Sequence, residues 1–136
     1  MKRRTGSEAE TKMFGAEFSA RLAAGEVVLF EGQLGAGKTT MIRGLVEALG
    51  HEGPVRSPTF NLIQTFETKP PVMHADLYRL RRAEGIGLED YLDTHLCLIE
   101  WPDRLHGFIE PDGCWRVSIA IDREGRSIEV REPERA

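Results

Sequence analysis

Cysteine is scarce in this 136-residue chain. The two present, Cys97 and Cys114, form no metal-spaced pair, and Cys97 lies inside an apolar run. Both read as buried free thiols in a reducing compartment, and no zinc site is implied. Long apolar runs are also missing: none approaches the ~18 residues that a membrane span needs. The opening Met1-Lys2-Arg3-Arg4 leads into polar residues rather than an apolar segment, so a cytoplasmic protein without membrane attachment is expected. Nor is there an excess of positive charge. With 18 basic against 22 acidic residues the net charge is −4, so nothing global favours adhesion to nucleic acid or an anionic surface. Protein partners fit better than direct RNA binding. Internal repeats and low-complexity segments are absent. The length suits one domain over 1–136, large enough for a core but short for enclosing two substrates, with the charged stretches 1–6 and 132–136 read as flexible ends.

What is present is a phosphate-loop pattern, G-x-x-x-x-G-K-[ST], over Gly32-Gln33-Leu34-Gly35-Ala36-Gly37-Lys38-Thr39, followed by Thr40. Glycines at these positions let consecutive backbone N–H groups turn inward around a phosphate chain, and the next helix presents its positive N-terminal end. Lys38 would reach the β- and γ-phosphates, and the Thr39 hydroxyl would hold a bridging Mg²⁺. Four fixed positions match by chance in roughly one chain of this size in a hundred or two, so context decides. Val27-Val28-Leu29-Phe30 is a continuous apolar run typical of a buried parallel strand, and Ile42, Leu45, Val46 and Leu49 recur at helical spacing after the motif. Strand, loop and helix stand in the required order.

Elsewhere, Ser7 with Glu10 makes a capping-box signature, and Phe14, Phe18 and Leu22 give a first helix one apolar stripe that Gly25 stops. A proline-flanked loop holds Arg56-Ser57-Pro58-Thr59. Phe60 to Glu67 and Val72 to Tyr78 read as two strands paired antiparallel across Lys69-Pro70-Pro71. Leu88, Tyr91 and Leu92 share the face of a short helix. Leu96-Cys97-Leu98-Ile99 is a buried strand that delivers Glu100 at its end, where Pro102 stops it. Trp115, Val117, Ile119 and Ile121 alternate with polar residues before a turn into Ile128 and Val130, a closing hairpin. The sum is an α/β fold of the P-loop NTPase kind: a mixed sheet flanked by helices, parallel at its centre, with antiparallel hairpins. Such sheets bind ligands at the carboxyl ends of their strands, which brings the phosphate loop and Glu100 to one edge.

A phosphate-loop enzyme needs an acid near the metal, and the pattern leaves two open, Glu100 after four apolar residues and Asp76 after the weaker run Val72-Met73-His74-Ala75. Either also reads as an acid marking a strand's exit from the core. Thr59 reads equally as a turn hydroxyl or as a switch residue sensing γ-phosphate and Mg²⁺. Arg56 is the one arginine expected in or beside the nucleotide motifs.

Taken together, the motifs resemble the TsaE (YjeE) family, ATPases of bacterial tRNA threonylcarbamoyladenosine synthesis. The matching stretches are Thr11 with Gly15, Leu34-Gly35-Ala36-Gly37-Lys38-Thr39-Thr40, Ser57-Pro58-Thr59-Phe60, Asp76-Leu77-Tyr78-Arg79-Leu80, Gly87-Leu88-Glu89-Asp90-Tyr91 and Ile99-Glu100-Trp101-Pro102. They follow the family's order over nearly the whole chain. The resemblance implies that Gly35, Ala36, Gly37, Lys38, Thr39 and Thr40 bind ATP and that Thr39 and Glu100 belong to the Mg²⁺ and water site. It also implies that Thr59 lies in a switch loop, that Asp76 is functionally needed, and that Trp101 borders the nucleotide, although Trp101 also reads as a core aromatic. It implies a weak Mg²⁺-dependent ATPase that drives turnover of a complex with TsaD and TsaB and meets tRNA only indirectly. One departure stands out: the family usually has Asp before the Leu-Gly pair, where this chain has Gln33, an amide without the charge. The alternatives are a small metabolite or nucleoside kinase, for which the cluster Arg79, Arg81 and Arg82 is sparse, and a nucleotide-gated binding module with little turnover.

Overall fold

The computed structural model describes residues 1–33, 35–55, 63–77, 87–102 and 109–134. The elements are β1 (Lys2–Thr5), α1 (Glu8–Ser19), β2 (Val27–Glu31), α2 (Lys38–Ala48), β3 (Ile63–Phe66), β4 (Val72–Asp76), β5 (Leu96–Glu100), β6 (Trp115–Asp122) and β7 (Gly125–Arg131). Among the described residues the strands form one sheet in the order β1-β7-β6-β2-β5-β4-β3. β2 runs parallel to β5 and β6, and β4 parallel to β5, whereas β3/β4, β6/β7 and β1/β7 are antiparallel. Each expected hairpin is present, and each lends one strand to a parallel centre broader than the β2–β5 pair that the apolar runs announce.

The strand period of two sorts the core. Val28 and Phe30, Val72, Leu96 and Leu98, and Trp115, Val117 and Ile119 face α1 and α2 and pack with Phe14, Phe18, Met41, Ile42 and Leu45. Their neighbours Leu29, Met73, Ala75, Cys97 and Ile99 face the opposite way, where Leu77, Leu88 and Cys114 cover them. Both helices therefore lie on one face of the sheet.

Ser7 caps α1 by accepting from the Glu10 N–H at 3.1 Å, and the Glu10 carboxylate reaches back to the Gly6 N–H. The helix ends at Ser19, before the stripe does, and Leu22 joins the core from the following turn. The Leu88 segment is a single 3₁₀ turn, Leu88–Asp90, which places Leu88 in the core. Among the described residues no helix is long and apolar enough to cross a membrane.

The ends differ from the expectation of free tails. Lys2–Thr5 is an edge strand on β7, pinned by the terminal ammonium on the Val130 carbonyl at 2.9 Å and by paired Arg4–Asp122 bonds at 2.5 and 2.9 Å. β7 would otherwise leave a row of N–H and C=O groups unpaired. Only Thr5 of this strand is buried, so it carries no apolar alternation by which to be read. At the other end Glu132 meets Arg21, and the Glu134 N–H donates to the Asp112 carbonyl at 2.7 Å.

Candidate functional site

β2 ends at Glu31, and the chain turns through Gly32, Gly35 and Gly37, whose φ values of 151°, 79° and 111° lie where L side chains are strained. Gly37 is the residue before α2, so the N-terminal turn of the helix opens toward the loop. Its neighbour Lys38 is only 4% exposed. The Lys38 ammonium donates to the Gly32 carbonyl at 2.5 Å and lies 3.7 Å from the centre of the Trp101 ring.

Trp101 owes that position to an unusual backbone. It has φ 62°, in the left-handed region that a bulky residue seldom adopts. The turn is held by the Trp101 N–H on the Phe30 carbonyl at 3.3 Å and by the Leu77 N–H on the Glu100 carbonyl at 3.1 Å. These bonds stitch the ends of β2, β4 and β5 together. Asp76 and Glu100 are register partners on adjacent parallel strands, and Glu100, 3% exposed, accepts from buried His74 Nε2 at 2.7 Å.

A cleft of about 270 Å³ joins these parts, lined by Glu8, Gly35, Gly37, Lys38, Thr39, Thr40, Asp76, Glu100 and Trp101. Of the residues expected in the site, all but two line it. Ala36, within the loop, is fully buried, and Thr59 lies outside the described residues, as does Arg56. Asp76 and Glu100, which the pattern set against each other, share the cleft. Gln33 lines a different cavity, beside Leu29, Glu31 and Arg116, so the missing charge falls outside the phosphate cleft.

Two residues escaped the sequence reading. Arg126, at the start of β7, donates from Nε to the Ala36 carbonyl at 2.8 Å and from Nη2 to the Gly35 carbonyl at 3.3 Å, which corrects the expectation that Arg56 alone stands beside the nucleotide motifs. No spacing rule links it to a loop 90 residues away. Arg126 also lines an adjoining polar pocket of about 210 Å³ with Thr5, Ser7, Thr11, Gly37 and Thr40. The other is His74. It stands two residues before Asp76, and the strand period alone puts both on one face.

The donor set fits a triphosphate with Mg²⁺. Thr39, Asp76 and Glu100 offer hard oxygen ligands, and among the described residues no group of three or more His, Cys, Asp or Glu forms a cage for a metal. A cation held by these oxygens would complete its coordination with substrate oxygens and water, the mode Mg²⁺ prefers.

The family model described as "Threonylcarbamoyl adenosine biosynthesis protein TsaE" matches residues 5–130. Curated relatives called "tRNA threonylcarbamoyladenosine biosynthesis protein TsaE" include one from Haemophilus influenzae, 38% identical over 76% of this chain and 68% of its own. Another, from Bacillus subtilis, is 36% identical over 92% of this chain and 79% of its own. The crystal structure of Bacillus subtilis YdiB superposes with a TM-score of 0.83 at 31% identity, over 98% of this chain and 86% of that one. With family model, relatives and fold in agreement with the motifs, the chain belongs to the TsaE family.

Proposed function

We propose that this chain is the ATP-binding and hydrolysing subunit of the tRNA threonylcarbamoyladenosine machinery. In this reading it acts in the cytoplasm, and its nucleotide cycle drives turnover of a TsaD–TsaB complex rather than transferring the group itself. The observation that carries the reading is the shared cleft of the phosphate loop with Asp76, Glu100 and Trp101. The β- and γ-phosphates lie along Gly35 to Thr39, and Lys38 exchanges the Gly32 carbonyl for phosphate oxygen. Thr39 and Glu100 hold the metal, with Asp76 next to them. A Mg²⁺ held by these residues would offset the charge that develops on the transferred group. Glu100 accepts a hydrogen bond from the attacking water and orients it. The adjoining pocket beside Thr11, Thr40 and Arg126 receives the nucleoside end.

Slow turnover by the isolated chain follows from the charge inventory. Among the described residues no arginine lines the cleft, because Arg126 is bound to the loop's own carbonyls. An arginine finger can supply ~10³–10⁵ in rate, so stimulation is left to partners or to the Thr59 loop. Co-purification with TsaD and TsaB, with and without ATP, tests the reading. A complex that forms or tightens with nucleotide is expected; no association under either condition overturns it.

A further inference from the structure

His74 is fully buried within β4, between Gln64 of β3 and Leu98 of β5 in the sheet register. Its neighbours on the same face of its own and the next strand, Val72 and Leu98, are apolar core residues. An imidazole here is costly unless both nitrogens are used. One is: Nε2 meets Glu100 Oε2 at 2.7 Å, a short contact between two groups that are nearly or wholly buried. A carboxylate only accepts, so Nε2 carries the proton and donates it. The other nitrogen, Nδ1, is buried with no hydrogen-bond partner among the described residues, as is Oε1 of Gln64, the residue directly opposite across β3/β4. The nitrogen that is satisfied is the one that touches the acid of the cleft.

We infer that His74 is the positioning residue of Glu100: its Nε2–H holds one carboxylate oxygen against the sheet and thereby turns the other toward the metal and water. The inference rests on the proposed place of Glu100 in the Mg²⁺ site. Without the donor, the Glu100 side chain loses its fixed rotamer, and the cleft loses an aligned ligand while the phosphate loop, built from Gly32 to Thr40, stays as it is. Outer partners of ligating groups commonly govern 10- to 100-fold in metal affinity or activity.

The test compares His74→Leu, which removes the donor, with His74→Gln, whose amide nitrogen reaches a similar point. Each is measured for ADP affinity without Mg²⁺, for the gain in ADP and ATP affinity when Mg²⁺ is added, and for kcat and KM of hydrolysis. His74→Leu is expected to keep its Mg²⁺-free ADP affinity, to lose about tenfold or more of the Mg²⁺-dependent gain, and to fall in kcat more than it rises in KM. His74→Gln should recover most of both. In a Glu100→Gln background His74→Leu should add little, because it acts through that carboxylate. A Glu100→Gln variant whose Mg²⁺ gain is intact removes the metal assignment itself. A Glu100→Gln variant that loses the gain while His74→Leu retains it overturns the positioning role alone. Equal losses of Mg²⁺-free and Mg²⁺-dependent binding in the Leu and Gln variants would reduce His74 to a folding residue. Should the Leu variant not fold, His74→Asn, polar but too short to reach Glu100, takes its place with the same expected losses.

Discussion

Replacing Gly44 with alanine is the most direct perturbation of the frame that presents the phosphate loop. Gly44 is buried in the middle of α2, where the helix crosses α1. A Cβ built there would lie 2.7 Å from the Lys12 carbonyl carbon and 3.0 Å from its Cα, and closer still to the carbonyl oxygen. Gly15 is its counterpart on α1: a Cβ there would lie 3.0 Å from the Met41 carbonyl carbon and 3.2 Å from the Leu45 nitrogen. Each helix thus seats its glycine on the other's backbone, which cannot rotate away as a side chain would. Ordinary carbon–carbon contacts are ~3.5–4.0 Å, so the axes must separate by about an ångström. In exposed helix alanine is favoured over glycine by ~1 kcal/mol, whereas overpacking costs ~1–3 kcal/mol and more against rigid atoms. Gly44→Ala should therefore lose roughly 2 kcal/mol net and lower Tm by several degrees. Because α2 begins at Lys38, nucleotide affinity should fall as well. Urea unfolding and calorimetric ADP binding supply the numbers. The control is Gly113→Ala, where a Cβ meets nothing within 4 Å; its change should stay within ~0.5 kcal/mol. A Gly44→Ala protein as stable as the parent, with unchanged affinity, would refute the close crossing.

Three further outcomes are expected. Lys38→Ala should leave the fold intact and cost ~1.5–3 kcal/mol of nucleotide affinity, roughly 10- to 150-fold, as the loss of a charged contact to phosphate; unchanged ATP binding in a folded variant would remove the phosphate-loop assignment. Glu100→Gln should weaken Mg²⁺-dependent hydrolysis far more than Mg²⁺-free ADP binding, and equal losses would mark a folding role instead. Burial pushes the Cys97 thiol up to about 12 and the Cys114 thiol up to about 11, from an ordinary value of 9.0. Unfolded thiols lose their protons near pH 9 while the folded ones keep them, so this contribution to stability is whole below that pH and is lost as pH rises through about 11–12. The decline in unfolding free energy between pH 9 and 11 should be shallower in a Cys97→Ala, Cys114→Ala double variant; an identical slope would show that the thiols are not held protonated.

How legible the molecule is from sequence depends on what sets each part. β2, β5 and α2 announce themselves because burial demands apolar runs of the right period, and the phosphate loop because its glycines answer a backbone requirement. The β6/β7 hairpin shows in the alternation of Trp115, Val117 and Ile119. β1 is illegible because its strand is fixed by backbone pairing and ion pairs, which leave no period in the side chains. The short α1 and the 3₁₀ turn at Leu88 show that an apolar stripe records which residues are buried, not how far the helix runs. In the site, Asp76 and Glu100 were visible as acids at strand ends, but only register shows that they face one cleft. Arg126 reaches the loop through the tertiary fold alone. His74 was hidden by its apolar neighbours, though its two-residue offset from Asp76 carried the signal.

Steady-state phosphate release tests the proposal that this chain is a partner-dependent ATPase. The pure protein with Mg²⁺ and ATP should turn over far below the ~1–100 s⁻¹ of kinases, and adding TsaD and TsaB should raise the rate. Kinase-like turnover by the chain alone, indifferent to both partners, would contradict it.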